Sequence, residues 1–472
     1  MKVRTRYAPS PTGFMHIGNL RTAIFEYLLA RKYDGSFILR IEDTDQERQV
    51  EGAIDFIYKT LELCNITIDE GPNNDKGYGP YIQSERKDIY KKYAEELVEK
   101  GKAYYCFCSE EELNVMRERA NARHKPFLYD GRCSRLSKEK IAENLANGVP
   151  YVIRQKMPKT GVTVVDDIIY GKIKIDNSIL DDQILLKSDG FPTYNFANVI
   201  DDHLMEITHV IRGKEYLDQT AKYNLLYEAF GWEKPIYAHV AMVLGEDGNK
   251  LSKRNGDASF MDLYNSGYLP EAIVNYLSLL GWSPTNNQEL FTMDELIQNF
   301  DEHRISKSSS QYDVKKLRWF NAQYIKKMEE DKYLAWIKKY FTRDVSNKSS
   351  EWVDKLLLIY KDHLNYGEEI NELTANFFID SITLDAEEKE FLDSDPVTKD
   401  VIATFRKEVD SITDWNIDAI NNAINNIKNT LGVKGKLLYM PIRIKASGFM
   451  HGPELADTIY LIGKDTVLER LK

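Results

Sequence analysis

Arg6 to Asn19 reads R-Y-A-P-S-P-T-G-F-M-H-I-G-N, and few folds accommodate such a segment. Val3 to Tyr7 has the composition of a short buried strand, while Leu20, Ala23, Ile24, Tyr27 and Leu28 recur at the spacing of one helical face. The segment is therefore predicted to be a strand, a loop and a helix start. Pro9 and Pro11 stiffen the loop, and Gly13 permits a backbone angle that other residues avoid. The helix then opens with free N–H groups and the positive end of its dipole, a geometry that receives phosphate. His16 would offer an imidazole N–H to a phosphate oxygen, and Gly18 leaves the helix backbone bare for a flat ring. The competing reading is an ordinary turn with a capping histidine.

A chain of 472 residues suggests roughly three domains, each with its own core. With 43% apolar and 29% charged residues the composition is that of a globular protein, and no apolar run is long enough to span a bilayer. The N-terminal residues lack the apolar core of a signal peptide, so a cytoplasmic location and no membrane partner are expected. Four cysteines are too few for a disulfide scaffold at this length, and a C-x-C pair in a reducing compartment reads as metal binding. A net charge of −11 argues against indiscriminate coating of nucleic acid. Lys307, Lys315, Lys316, Arg318, Lys326 and Lys327 still allow a local basic surface, or else form solvated helix faces.

Further along, S-F-I-L-R-I-E-D-T-D (Ser36 to Asp45) is predicted to be a strand ending in acid. Ligands of open α/β sheets bind beyond such strand ends, where Glu42, Asp43 and Asp45 would lie, although helix capping and metal chelation are alternatives. Tyr151 to Met157, Gly161 to Tyr170 and Gln183 to Lys187 read as strands of a small inserted domain. F-P-T-Y-N-F-A-N-V-I-D-D-H from Phe191 leads to a strand ending at Arg212. His239 to Leu244 is predicted to be a strand, Gly245 to Asn249 a turn, and K-L-S-K-R follows from Lys250. The rest of the chain is patterned as helix throughout. There is no G-x-x-x-x-G-K-[ST], no G-x-S-x-G and no H-E-x-x-H, which excludes the common phosphate-loop, serine-hydrolase and metalloprotease chemistries.

The loop A-P-S-P-T-G-x-x-H-I-G-x, followed at a distance by K-L-S-K-R, resembles the two signature motifs of class I aminoacyl-tRNA synthetases in their glutamyl and glutaminyl form. The helical tail resembles the bacterial glutamyl enzymes, because the glutaminyl and eukaryotic forms carry β-barrels there. This resemblance implies an α/β fold: a Rossmann-type catalytic domain (1–88 and 191–247), an inserted α+β acceptor-binding domain (89–190), a helical stem-contact domain with the K-L-S-K-R loop (248–325), and an all-helical anticodon-binding region (326–472). It implies a ligase that activates L-glutamate with ATP and Mg2+ and passes it to the 3′ terminal ribose of tRNA(Glu), the alternatives being tRNA(Gln) as a second acceptor, a shortened relative that charges a modified nucleoside in tRNA, a glutaminyl enzyme, or a non-catalytic tRNA-binding paralogue.

By the same resemblance, His16, Gly18, Lys250, Ser252 and Lys253 are the candidate catalytic residues. Pro9, Thr12, Gly13, His16, Gly18, Asn19 and Lys253 would hold ATP. Arg6, Ser10, Glu42, Tyr194, Asn198 and Arg212 would hold glutamate, with Glu42 on the ammonium and the arginines facing carboxylates. An arginine fork matches a carboxylate with two parallel hydrogen bonds, which favours glutamate over glutamine. Cys106, Cys108, Tyr129 and Cys133 resemble a structural Zn2+ element of some bacterial glutamyl enzymes, except that Arg135 stands where a histidine is usual. Tyr129 or water would then complete a tetrahedral site, the alternative being reduced cysteines in a small core. The expected working state is a monomer.

Overall fold

The computed structural model describes residues 2–13, 15–249, 251 and 259–472. The chain forms two compact units, residues 1–262 with 274–313 and residues 263–273 with 314–472.

The first unit begins with β1 (Arg4–Tyr7), α1 (Ile17–Lys32) and β2 (Ser36–Leu39). β1 and β2 pair in parallel from Arg4↔Ser36 to Tyr7↔Leu39, so α1 is the crossover helix between them. The predicted face of α1 is buried, but so are Arg21, Phe25, Glu26, Leu29 and Ala30. The helix is enclosed because it packs on the sheet on one side, with Tyr27 edge-on to Phe37, and against Phe300 through Phe25 on another.

α2 (Ala53–Leu63) and α3 (Lys87–Glu99) follow, and then a three-stranded antiparallel sheet of β3 (Ala103–Cys106), β4 (Val152–Gln155) and β7 (Ile184–Leu186). The stretch read as one strand from Gly161 to Tyr170 is half of a hairpin, β5 (Val162–Asp167) against β6 (Gly171–Asp176). It turns because Asp167 Oδ1 accepts the backbone N–H groups of Ile169 and Tyr170, at 2.9 and 2.8 Å.

The chain then adds α6 (Tyr194–Leu204), β8 (His209–Gly213), α7 (Thr220–Phe230), β9 (Ile236–Val240) and β10 (Val243–Leu244), with α4 (Glu110–Ala122) and α5 (Lys138–Ala146) lying earlier in the insertion. The strand expected from His239 to Leu244 thus starts earlier and breaks in two. At the break the Ala241 carbonyl is taken by Arg21 Nη2 at 2.5 Å. β8 and β9 pair in parallel, β9 also touches β5, and Arg4 exchanges hydrogen bonds with Thr208 beside β8. The result is a set of parallel strands, β2, β1, β8 and β9, whose C-terminal ends point the same way.

The second unit is helical, with no strand among its described residues. Helices such as Val397–Ser411, Ile417–Leu431 and Lys436–Ser447 repeat apolar residues at helical spacing, and Val401, Phe405, Ile420, Ile427 and Ile442 meet in one core. Side-chain caps start several of them, including Ser349 on the Trp352 N–H and Asn416 on the Ala419 N–H.

Candidate active site

A cavity of about 480 Å³ lies at the C-terminal ends of β1, β2, β8 and β9. Arg6, Pro9, Ser10, Thr12, His16, Gly18, Asn19, Glu42, Tyr194 and Arg212 line it, so residues spread over two hundred positions share one wall. Gly13, at φ 146°, shapes the loop without lining the cavity. Asn198 sits one helical turn behind Tyr194, buried, with Nδ2 donating to the Tyr194 carbonyl at 2.8 Å. Lys250, Ser252 and Lys253 lie outside the described residues, and Leu251 between them lines the cavity.

The loop after β1 ends at His16, the N-cap of α1, whose Nδ1 accepts the Gly18 N–H at 3.1 Å. In a neutral ring the hydrogen then resides on Nε2. A Cβ at Gly18 would come within 3.3 Å of His16 Nδ1, so the missing side chain lets the imidazole close on the backbone. The first turn of α1 carries no acidic residue, and its positive end is therefore available to an anion.

Behind the cavity lies a buried ionic network. Arg6 donates to Asp202 at 3.0 Å and to Glu26 at 3.1 Å. Arg40, fully buried, donates to Asp202 at 2.8 Å and to Glu42 at 2.9 Å. Burial by itself would push the Asp202 carboxyl up, but the Arg6 and Arg40 guanidiniums outweigh it and hold it below its ordinary value. Glu42 and Glu26 go the other way, because burial outweighs the arginines beside them, and both carboxyls are raised. Burial also raises the Tyr194 hydroxyl well above its usual range, and the nearby Glu42 adds to this.

Arg212 is different. It is only 6% exposed, yet among the described residues no carboxylate lies within ion-pair distance of it. Its Nε donates to His239 Nε2 at 3.1 Å and its Nη2 to Thr220 Oγ1 at 2.8 Å, while the Tyr223 ring centroid lies 4.6 Å from Cζ. Arg21 also lines the cavity and donates to backbone carbonyls, those of Leu280 and Ala241. Burial lowers its guanidinium to about 10, with Glu215 opposing. A buried cation without a protein counter-charge is costly unless a ligand supplies the charge. The cavity thus brings together the buried guanidinium of Arg212, the carboxyl of Glu42 and a helix start free of acidic residues.

Reasoning from the sequence overlooked Arg21, Glu26, Arg40, Asp202, Thr220, Glu215 and His239. The only signal for any of them was adjacency: Arg40 precedes Glu42 in R-I-E-D, and Asp202 falls in the D-D-H run.

A second cluster lies in the inserted region. The Sγ atoms of Cys106, Cys108 and Cys133 all fall within 4.8 Å of one another, and Cys108 and Cys133 are 3.6 Å apart. The Tyr129 hydroxyl is 3.3 Å from both Cys106 and Cys108. Arg154 stacks 4.2 Å from the centre of the Tyr129 ring. Arg135 is exposed and reaches the Asp130 carbonyl instead.

The chain is also similar to known proteins over its whole length. The family described as tRNA synthetases class I (E and Q), catalytic domain, matches residues 2–319, and an anticodon binding domain matches residues 324–472. The chain is 48% identical to a glutamate–tRNA ligase of Clostridium acetobutylicum over 481 residues, covering 100% of this chain and 98% of that one. It is 49% identical to a glutamate–tRNA ligase of Clostridium novyi over 485 residues, covering 100% and 97%. Among solved structures, a glutamate tRNA ligase from Elizabethkingia meningosepticum in complex with its amino acid superimposes with a TM-score of 0.88 at 36% identity, covering 100% of this chain and 98% of that one. With both domain families matched in order and full-length relatives at nearly half identity, the chain belongs to the glutamate–tRNA ligase family of class I aminoacyl-tRNA synthetases.

Proposed function

We propose that the cavity binds L-glutamate and ATP and joins them before the glutamyl group passes to tRNA(Glu). The α-carboxylate of glutamate attacks the α-phosphorus of ATP and pyrophosphate leaves; a hydroxyl of the terminal ribose then attacks the acyl carbon of the glutamyl-adenylate, and AMP leaves. The observation that carries this reading is Arg212, a buried guanidinium in the cavity with no carboxylate within ion-pair distance among the described residues. It takes the side-chain carboxylate, Glu42 takes the ammonium, and Ser10, Tyr194 and Arg6 complete the wall, with Asn198 behind Tyr194. The loop from Pro9 to Asn19, with Thr12, Gly13, His16 and Gly18, takes the nucleotide. Positioning and charge neutralisation then carry the rate. Membership of the class I family implies ATP and Mg2+.

The division of labour follows the domain reading above: residues 1–88 and 191–247 as catalytic domain, 89–190 as acceptor-binding insertion, 248–325 as stem-contact domain and 326–472 as anticodon-binding region, in a monomer. A tRNA-facing role of the helix Val314–Lys327 is supported by its exposed Lys315, Arg318, Lys326 and Lys327 beside the half-exposed Trp319. Among the described residues no helix is long and apolar enough to cross a membrane.

Aminoacylation with labelled glutamate, and in parallel glutamine, on purified tRNA(Glu) and tRNA(Gln) tests the reading. Charging of tRNA(Glu) with glutamate is expected, and the tRNA(Gln) lane shows whether the chain accepts that acceptor too. Lys253→Ala is expected to lower turnover about 100-fold, the usual effect of removing one group that neutralises transition-state charge. Persistent tRNA binding with no charging of any kind would overturn the proposal.

The cysteine cluster fits one structural Zn2+. Around zinc with bonds of about 2.3 Å to sulfur and about 2.0 Å to oxygen, tetrahedral ligands stand about 3.8 Å apart for two sulfurs and about 3.5 Å for sulfur and oxygen. The separations of 3.6 and 3.3 Å match those edges. Cys106, Cys108, Cys133 and Tyr129 would hold the ion, with the Arg154 guanidinium offsetting the surplus negative charge. Metal analysis of the isolated protein is expected to find about one zinc per chain, and Cys108→Ser to lose it with a clear fall in melting temperature. A metal-free protein of unchanged stability would mean a plain cysteine core.

A further inference from the structure

His239 is fully buried near the end of β9 and is clasped from both sides. Its Nδ1 is 2.7 Å from Asp167 Oδ2, which also accepts the His239 backbone N–H at 3.0 Å. With Ile169 and Tyr170 on Oδ1, Asp167 accepts four N–H donors, as suits an ionised, acceptor-only carboxylate. On the far side of the ring, Arg212 Nε stands 3.1 Å from His239 Nε2. A guanidinium stays protonated and has no acceptor, so Nε2 must receive this hydrogen bond. Both neighbours therefore demand one state, a neutral imidazole with its hydrogen on Nδ1.

Thr220 secures the other edge of Arg212, accepting from Nη2 at 2.8 Å and donating to the Tyr216 carbonyl at 2.9 Å. Two of the five guanidinium hydrogens are thus committed to the protein, and the plane of the fork is set. The rest remain for an anion in the cavity.

We propose that Asp167 and His239 are positioning residues for recognition of the substrate's side-chain carboxylate: neutral His239, oriented by Asp167, holds the Arg212 fork in the plane the carboxylate needs. This rests on the proposed glutamate site. Protonation of His239 would set a second cation and a second donor against Arg212 Nε. Burial already pushes His239 below its ordinary value; Asp167 on β5 opposes that, Arg212 on β8 adds to it, and Glu215 after β8 opposes it weakly. The Thr220 hydroxyl of α7 and the Tyr237 ring on the same strand complete its surroundings. Because the histidine is depressed in the folded protein, its favourable contribution is complete above the ordinary histidine value and is lost as pH falls from there toward the depressed one.

The test uses the full chain with tRNA present, measuring KM for glutamate, ATP and tRNA alongside turnover. His239→Ala is expected to raise the glutamate KM about 10-fold, the scale of one buried hydrogen bond left unmade to a charged group, with the ATP and tRNA KM values within about twofold of the parent. His239→Gln, whose amide oxygen can accept from Arg212, should recover most of the loss. Acidification below the ordinary histidine value, through the depressed one, should raise the glutamate KM of the parent enzyme more than that of His239→Gln, and this comparison decides if the alanine variant does not fold. An unchanged glutamate KM in His239→Ala, a glutamine variant no better than alanine, or a parallel shift in all three KM values each overturns the proposal. Arg212→Ala separates the two levels. If it collapses glutamate use while His239→Ala does not, positioning fails and the glutamate site stands; if Arg212→Ala leaves the glutamate KM unchanged, the glutamate site itself fails.

Discussion

Arg212→Met is expected to lower kcat/KM for glutamate by about 10³- to 10⁴-fold while leaving the melting temperature unchanged or higher. The first effect is that of truncating one partner of a desolvated, hydrogen-bonded charge pair, here between protein and substrate, roughly 4 to 5 kcal/mol. The second follows from what surrounds the residue without substrate. Its hydrogen bonds go to the neutral groups His239 and Thr220, and among the described residues no carboxylate compensates its charge. Methionine of similar length removes a buried, uncompensated cation, a change that is commonly neutral or stabilising. Steady-state charging assays and thermal unfolding of the same preparation read both quantities. A variant that keeps glutamate use within about tenfold of the parent would falsify the assignment of Arg212 to the substrate carboxylate.

Arg40→Met should behave in the opposite way, destabilising the fold by about 3 to 5 kcal/mol, because it strips a partner from three buried carboxylates at once, those of Glu42, Asp201 and Asp202. Arg40 is fully buried and donates to Asp202 and Glu42 at 2.8 and 2.9 Å. Arg6 still reaches Asp202 in the variant, but Glu42 loses its nearest cation. Since burial already raises the Glu42 carboxyl and Arg40 is the strongest force opposing it, the variant's Glu42 moves further toward the neutral acid. A neutral Glu42 no longer attracts an ammonium, so activity falls together with stability. Urea titration gives the first and glutamate KM the second. An unaltered urea midpoint would show that packing, rather than this ionic network, holds β2 and α6 together.

The two arginines of the proposed glutamate site show where sequence reasoning stops. Arg6 and Arg212 look alike in the sequence, each at the end of a predicted strand. In the folded chain Arg6 is already committed to Glu26 and Asp202, while Arg212 is not paired with any described carboxylate. Asn198 was grouped with Tyr194 by the resemblance, but one turn of α6 places it behind the cavity wall. Of the hairpin of β5 and β6 only the first half is legible as a strand, because the turn depends on Asp167, an acid that also suits a strand end. His239 carried no chemical signal at all within a short apolar strand.

By itself the sequence determined the strand, loop and helix start around His16, the helical character of the tail, and the residue types at the cavity. These are local properties: periodicity of 2 or 3.6, proline and glycine in the loop, and motif spacing all act within a few neighbouring residues. Only the tertiary structure decided which charges are compensated and which are left for a ligand. Asp202 meets Arg6 across 196 positions and Asp167 meets His239 across 72. In a buried site the energy of a charge depends on what stands within a few ångströms through space, and separation along the chain does not encode that distance.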